Sequence, residues 1–201
     1  TLDPGTIQRG LRRPDPQHAA PNERTLAAIL FTDFAGFSSL PEHVLPSFWN
    51  GVMLAMGEVL DRHGEKVASR NSWGDALYAV TSSAADAAEI ALEIQAALSR
   101  FDYAGAGLPA NGGMRVGVHY GPAYRGRDHI TGSWTYYGTE VSRAARIEPI
   151  TPPGSVFVTQ PFAAILALEA RERFSCRYVG RIALAKNAGA YPMYRLVRGK
   201  D

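Results

Sequence analysis

An α+β fold, with a ferredoxin-like βαββαβ core extended by an extra hairpin, a helix and C-terminal strands, is predicted by three features of the sequence. Short apolar or alternating segments suit strands, amphipathic stretches at helical spacing separate them, and Gly-, Pro- or Asn-bearing breaks mark the junctions. The helices are expected to pack on a mixed sheet. At 201 residues the chain is long enough for one domain with a substantial core.

Residues 1–24 contain Pro4, Pro14, Pro16 and Pro21 with almost no apolar periodicity. They read as a flexible tail or linker, and residues 25–201 as the domain. The first strand, 26–31, is apolar throughout and breaks at Thr32-Asp33-Phe34-Ala35-Gly36-Phe37-Ser38. Val44, Phe48, Val52, Met56 and Val59 then form one helical stripe. Pro46 is tolerated only in a first turn, so this helix starts between 42 and 45, and Gly64 is expected to cap it in the left-handed conformation. Residues 66–70 and 76–81 form the arms of a hairpin around 71–75.

The clearest helix covers 83–101, with Ser82 or Ser83 as N-cap and Ile90, Ile94 and Leu98 on one face. After a Gly/Pro/Asn loop at 102–113, residues 114–120 alternate as a strand. Gly121-Pro122 is expected to turn the chain, and a returning arm reaches Tyr136-Tyr137 through a polar loop at 125–132. A short helix over 139–148 stops at Pro149. A strand at 155–159, a helix at 161–170 that begins on proline, and strands at 174–182 and 191–197 complete the sheet.

Composition excludes several classes. Twenty-one basic against 19 acidic residues leave a net charge of +2, which gives no basis for binding nucleic acid or an anionic membrane. No apolar run approaches the ~20 residues of a membrane helix. The polar first residues are unlike a signal peptide, and the absence of an initial Met reads as part of a longer chain. The lone cysteine, Cys176, rules out an internal disulfide and fits a reducing, cytoplasmic setting. The histidines are scattered, without metal spacing or a nucleophile partner.

Two carboxylates stand out. Asp33 sits where a strand stops and a Gly-containing loop starts, and Asp75 follows Gly74 in a tight hairpin turn. Either alone is equally a turn or cap residue. Brought together by neighbouring strands, beside a loop rich in N–H groups, they suit a divalent cation and a triphosphate.

Three stretches, in order and compatibly spaced, resemble the class III nucleotidyl cyclases, the adenylate and guanylate cyclase catalytic domain. They are Leu30-Phe31-Thr32-Asp33-Phe34-Ala35-Gly36-Phe37-Ser38; Trp73-Gly74-Asp75-Ala76; and Met114-Arg115-Val116-Gly117-Val118-His119-Tyr120-Gly121-Pro122, leading to Tyr137-Gly138-Thr139-Glu140-Val141-Ser142-Arg143-Ala144-Ala145-Arg146-Ile147-Glu148. The resemblance implies attack of a ribose 3′-hydroxyl on the α-phosphorus of a nucleoside triphosphate, releasing pyrophosphate and a 3′,5′-cyclic nucleotide. It further implies two Mg²⁺ or Mn²⁺ ions per site, held by Asp33, Phe34 and Asp75. Ala35, Gly36 and Phe37 would cradle phosphate, Arg115 and Lys186 would contact the triphosphate, and Arg146 would stabilise the charge that builds on the α-phosphoryl group. Sites in the family form between two chains. A head-to-tail homodimer with two composite sites is therefore expected, one protomer giving Asp33, Asp75 and Arg115, the other Asn71, Thr135, Ser142, Arg146 and Lys186.

The chain departs from the family at three of these positions. Ser142 stands where the family has a ribose-orienting Asn, and a shorter side chain there would reach the ribose through water. Asn71 replaces the Lys or Glu that selects adenine or guanine, and Thr135 replaces the second selector, Asp in adenylate cyclases. A neutral amide donates and accepts, so Asn71 suits uracil, cytosine or adenine edges. Members lacking the lysine include pyrimidine cyclases of anti-phage signalling, which favours UTP, then CTP, as substrate. An adenylate cyclase with atypical selectors and a non-catalytic nucleotide-binding regulatory domain are the alternatives.

Overall fold

The computed structural model describes residues 22–110 and 112–199. One sheet dominates it: β1 (Arg24–Phe34), β2 (Val67–Trp73), β3 (Ala76–Thr81), β4 (Met114–Arg127), β5 (Trp134–Tyr137), β6 (Val156–Thr159), β7 (Phe174–Ala183) and β8 (Ala190–Arg198). The spatial order is β2-β3-β1-β4-β6-β8-β7, with β5 added to β4. The run β4-β1-β3-β2 is antiparallel and forms the ferredoxin-like core. β4 and β6 run parallel, so the sheet is mixed, as expected.

The helices are α1 (Leu45–Phe48), α2 (Leu54–His63), α3 (Ala84–Leu98), α4 (Thr139–Ala144) and α5 (Gln160–Ala170). A single π turn, Trp49–Met53, joins α1 to α2. Phe48, Val52, Met56 and Val59 are all buried along it. Gly51 permits this packing, because a Cβ there would lie 2.5 Å from the Phe101 ring. The side chain of Ser83 caps α3 by accepting from the Asp86 amide.

β1 is buried on both faces, which is why it reads as a continuous apolar run rather than an alternating one. Ala28 and Leu30 join the main core with Met114, Val116 and Val118 of β4 and the inner faces of α2, α3 and α5. Ala27 and Ile29 face the opposite side, against Ala144 of α4, Ala123 and Tyr136. On that second face α4 is tied down by His119. Its Nε2 lies 2.6 Å from Glu140 Oε2 and its Nδ1 2.8 Å from Thr159 Oγ1, and Glu140 also pairs with Arg143. Burial holds the imidazole below its usual pKa against the opposing pull of Glu140.

Several boundaries differ from expectation. β1 begins at Arg24, inside the stretch read as linker, while residues 1–21 lie outside the described residues. β2 continues through Asn71, Ser72 and Trp73, so the hairpin turn shrinks to Gly74 and Asp75. β4 does not turn at Gly121-Pro122: those residues pair with Ala27 and Leu26. β6 covers only Val116–Val118 of β4 and β5 only Tyr124–Arg127, so Pro122 falls where β4 has a neighbour on one edge, the setting in which a strand accepts proline. Gly64, at φ 16 and ψ −91, lies outside the left-handed region and opens a 3-10 turn. α4 ends at Ala144, and the chain continues through a turn into the 3-10 helix Glu148–Ile150.

Gly117 lets this last segment lie against β4. A Cβ at Gly117 would stand 2.7 Å from the Glu148 amide nitrogen and 2.8 Å from Ile147 Cβ. Gly117→Ala is therefore expected to destabilise the protein by about 1–3 kcal/mol, seen as a lower urea midpoint with an unchanged m-value.

Candidate active site

Register places the first pair. Asp33 of β1 stands opposite Arg115 of β4, and the Arg115 guanidinium Nη2 is ion-paired with Asp33 Oδ2. Asp75 approaches from the β2–β3 turn, where Gly74 takes φ +57 and frees the chain to reverse in two residues. Its Oδ2 accepts from the Phe34 amide at 2.9 Å. Thr32 Oγ1 accepts from the Leu77 amide at 3.0 Å, which fixes the start of β3 against the end of β1. Asp33, Asp75 and Arg115 are thereby gathered at one end of the sheet.

Glu148 joins this group. Its Oε2 lies 3.9 Å from Arg115 Nε. Burial raises the Asp75 carboxyl above its ordinary value, opposed by the hydrogen bond from Phe34. Burial likewise raises Glu148, and the charge of Asp75 adds to the effect while Arg115 opposes it. Among the described residues no group of three or more His, Cys, Asp or Glu forms a ready-made metal cage. The carboxylates of Asp33 and Asp75 are the hard oxygen donors that suit a divalent cation, which would complete its shell with phosphate and water oxygens.

The phosphate cradle expected at 35–37 is narrower in the structure. The Phe34 amide is committed to Asp75 and the Ala35 amide donates to the Gly113 carbonyl at 3.0 Å. Ala35 is thus removed from the set of phosphate donors. Gly36, at φ +86, and Phe37 begin a 3-10 turn, and theirs are the amides that remain.

The remaining expected residues lie on other elements. Asn71 and Thr135 line one cleft of about 260 Å³ together with Trp73, Tyr78, Tyr136 and Val141. No residue that lines it is charged. Asn71 Oδ1 accepts from the Ser72 amide at 2.8 Å. Tyr78 donates to the Tyr136 carbonyl at 3.0 Å and is hydrogen-bonded to Thr135, and burial raises its phenol well above the usual range. A larger cleft of about 510 Å³ lies between Asn71 and the helix face carrying Trp49, Met53, Leu54 and Asp61, and neither Asp33 nor Asp75 lines it.

Ser142 is exposed on α4. Arg146 is not on that helix, although the helix expected over 139–148 would have carried it. The helix tightens before it, with the Arg146 amide donating to the Arg143 carbonyl. Instead Arg146 abuts the loop of Lys186, whose neighbour Ala185 donates its amide to the Arg146 carbonyl at 3.4 Å. Lys186 and Asn187 both adopt left-handed backbone, at φ 58 and 54, in a tight β7–β8 connection closed by Leu184 N to Gly189 O at 2.9 Å. Consecutive non-glycine residues of this kind cost on the order of 1 kcal/mol each.

Sequence reasoning missed Glu148, Tyr78 and Thr32. Glu148 looked like a helix-terminal charge before Pro149, and only the close packing at Gly117 brings it to Arg115. Tyr78 was hidden in strand alternation and Thr32 in the break expected after the first strand, and a buried hydroxyl has no signature in either.

Known proteins resemble this chain along most of its length. The profile of a family described as Adenylate and Guanylate cyclase catalytic domain matches residues 20–197. A receptor-type adenylate cyclase of Trypanosoma equiperdum is 34% identical over 83 residues, 41% of this chain and 18% of that protein. A related receptor-type adenylate cyclase of Trypanosoma brucei brucei is 32% identical over 41% of this chain and 7% of its own length. The chain thus spans less than a fifth of these curated relatives. The guanylate cyclase domain of a Catenaria anguillulae protein, solved in complex with GTP, superposes with a TM-score of 0.73 at 20% identity, over 90% of this chain and 100% of that one. An adenylate cyclase of Trypanosoma brucei, solved in its monomeric state, superposes with a TM-score of 0.74 at 21% identity, over 90% and 92%. At such identities these structures speak to the fold.

A carboxyl raised on folding binds its proton more tightly in the native state, so its stabilising contribution is complete at low pH and is lost as pH climbs past its folded value. Asp75→Asn removes that loss and keeps an acceptor for the Phe34 amide. Without metal or nucleotide, the variant is expected to melt above the wild type at pH 7, with the gap opening as pH rises above the ordinary 3.8. Melting curves across pH 3.5 to 8 measure it.

Proposed function

The chain belongs to the adenylate and guanylate cyclase catalytic domain family, and from that premise we propose that it is a nucleotidyl cyclase converting a nucleoside triphosphate to a 3′,5′-cyclic nucleotide and pyrophosphate. The observation that carries this reading is the gathering of Asp33, Asp75 and Arg115 at one sheet end, with Asn71, Thr135, Arg146 and Lys186 borne on other elements. A triphosphate needs both sets, and two copies packed head to tail offer each site one of each. Divalent cations held by Asp33, Asp75 and the backbone at Phe34 would lower the pKa of the attacking hydroxyl and neutralise the phosphates. Gly36, Phe37 and Arg115 bind the triphosphate on the same protomer. Arg146, with Lys186 beside it, meets the negative charge that develops on the α-phosphoryl oxygens from the facing copy. Ser142 orients the ribose through water.

Substrate choice follows from the cleft of Asn71 and Thr135. Because its lining is neutral, nothing there offers the fixed charge that would favour one purine. UTP, then CTP, is our favoured substrate, with a second-messenger role in phage defence and a cytoplasmic site of action. The two trypanosomal relatives are named as adenylate cyclases, which supports an adenylate cyclase with altered selectors as the second reading. The exposed Ser142 supports a nucleotide-binding regulatory domain as the third.

Incubating the protein with each of the four nucleoside triphosphates and Mn²⁺, then identifying products by mass, separates the three. Cyclic UMP, or cyclic CMP in smaller yield, is expected, and tight binding with no cyclic product would identify the regulatory domain. Asp33→Ala and Asp75→Ala are expected to abolish turnover with the fold retained, and Arg146→Ala to lower it about 10²–10³-fold. Asn71→Lys is expected to raise the use of ATP relative to UTP.

A further inference from the structure

Arg115 lies between two carboxylates and satisfies one of them. Its Nη2 is paired with Asp33, while its Nε and Glu148 Oε2 face each other across 3.9 Å, beyond hydrogen-bond length. Both atoms are buried, and neither has a hydrogen-bond partner, although buried polar groups are nearly always paired. The gap is about 1 Å longer than a charge-assisted hydrogen bond. Glu148 is held at this distance by backbone, since its amide nitrogen packs on Gly117, one residue beyond Val116 on the strand that carries Arg115. The arrangement is an ion pair left open by a small displacement.

The charges give that displacement a cause. The guanidinium now occupies Asp33, a carboxylate assigned above to a divalent cation. Two cations on one carboxylate repel, and a guanidinium moved off it into a partly buried site needs another anion. Glu148 is the anion within reach. We propose that Glu148 is a positioning residue for Arg115: as a divalent cation takes Asp33, Arg115 releases that carboxylate and closes on Glu148, which clears the metal seat and holds the guanidinium toward the triphosphate. This rests on the assignment of Asp33 as a metal ligand. Glu148 itself is not a ligand in this scheme, in keeping with the absence of a three-carboxylate cluster among the described residues.

Mn²⁺ titrations of the nucleotide-free protein, read by electron paramagnetic resonance of the unbound ion, test it without recourse to activity. Asp33→Ala is expected to abolish binding, and retained binding there would sink the metal assignment itself. Glu148→Gln is expected to weaken Mn²⁺ binding about tenfold, because Arg115 then has nowhere to go and competes for Asp33. Wild-type affinity in Glu148→Gln, alongside loss in Asp33→Ala, overturns the proposal alone. In an Arg115→Ala background Glu148→Gln is expected to change nothing. A tenfold loss persisting there would show Glu148 acting on the ion or the fold directly, which also overturns it. Arg115→Ala by itself, needing no change at Glu148, is expected to bind Mn²⁺ more tightly than the wild type, and equal or weaker binding counts against the proposal even if Glu148→Gln does not fold.

Discussion

Antiparallel pairing between β1 and β4, from Arg24 opposite Tyr124 to Phe34 opposite Met114, sets which chemistry meets which. Because side chains alternate across a sheet, a slip of one residue would send Asp33 and Arg115 to opposite faces and expose a core row. The apolar residues of both strands forbid that slip. Ala28, Leu30, Met114, Val116 and Val118 are all buried against the helices, so the register that completes the core is also the one that sets acid opposite base. The site therefore inherits its precision from packing.

The second face of the sheet works under a different constraint. Among the described residues α4 and the segment after it cover this face, through Ala144 against Ala27 and Ile29, Ile147 against Gly117, Phe157, Leu184 and Met193, and the His119–Glu140–Arg143 cluster. Buried ionisable groups are a weak source of net stability. Here they fix where α4 begins and hence where Ser142, Arg146 and Glu148 emerge. The same small cover leaves the Asn71–Thr135 cleft open beside it.

Elements with strong periodicity were legible in the sequence. The buried stripe from Val44 to Val59, the α3 face of Ile90, Ile94 and Leu98, and the Gly74-Asp75 turn all lie where spacing and glycine placement put them, whereas β1 runs on past the expected break at Thr32 and carries Asp33 within it. What escaped was governed by neighbours distant in sequence. Gly121-Pro122 looks like a turn locally, but β1 runs long enough to keep β4 straight through it. The stretch 139–148 looks like one helix, but packing on Gly117 draws the chain into a turn after Ala144. Glu148 carried no local signal, since its meaning arises only from Arg115, which lies more than thirty positions earlier. The commitment of the Ala35 amide escaped for the same reason, its partner being a carbonyl at Gly113.

Asn71 lies on β2, the rim strand of the sheet, with an exposed side chain, and Trp73 beside it is 88% exposed. Nothing in the interior leans on either residue. Exchanges at exposed positions of this kind usually shift stability by no more than about 0.5 kcal/mol, whereas a comparable exchange at Leu30 or Val116 would open the core. Side chains at this rim can thus be exchanged almost independently of whether the chain folds, and the chemistry offered at this edge of the sheet can change without passing through unstable intermediates.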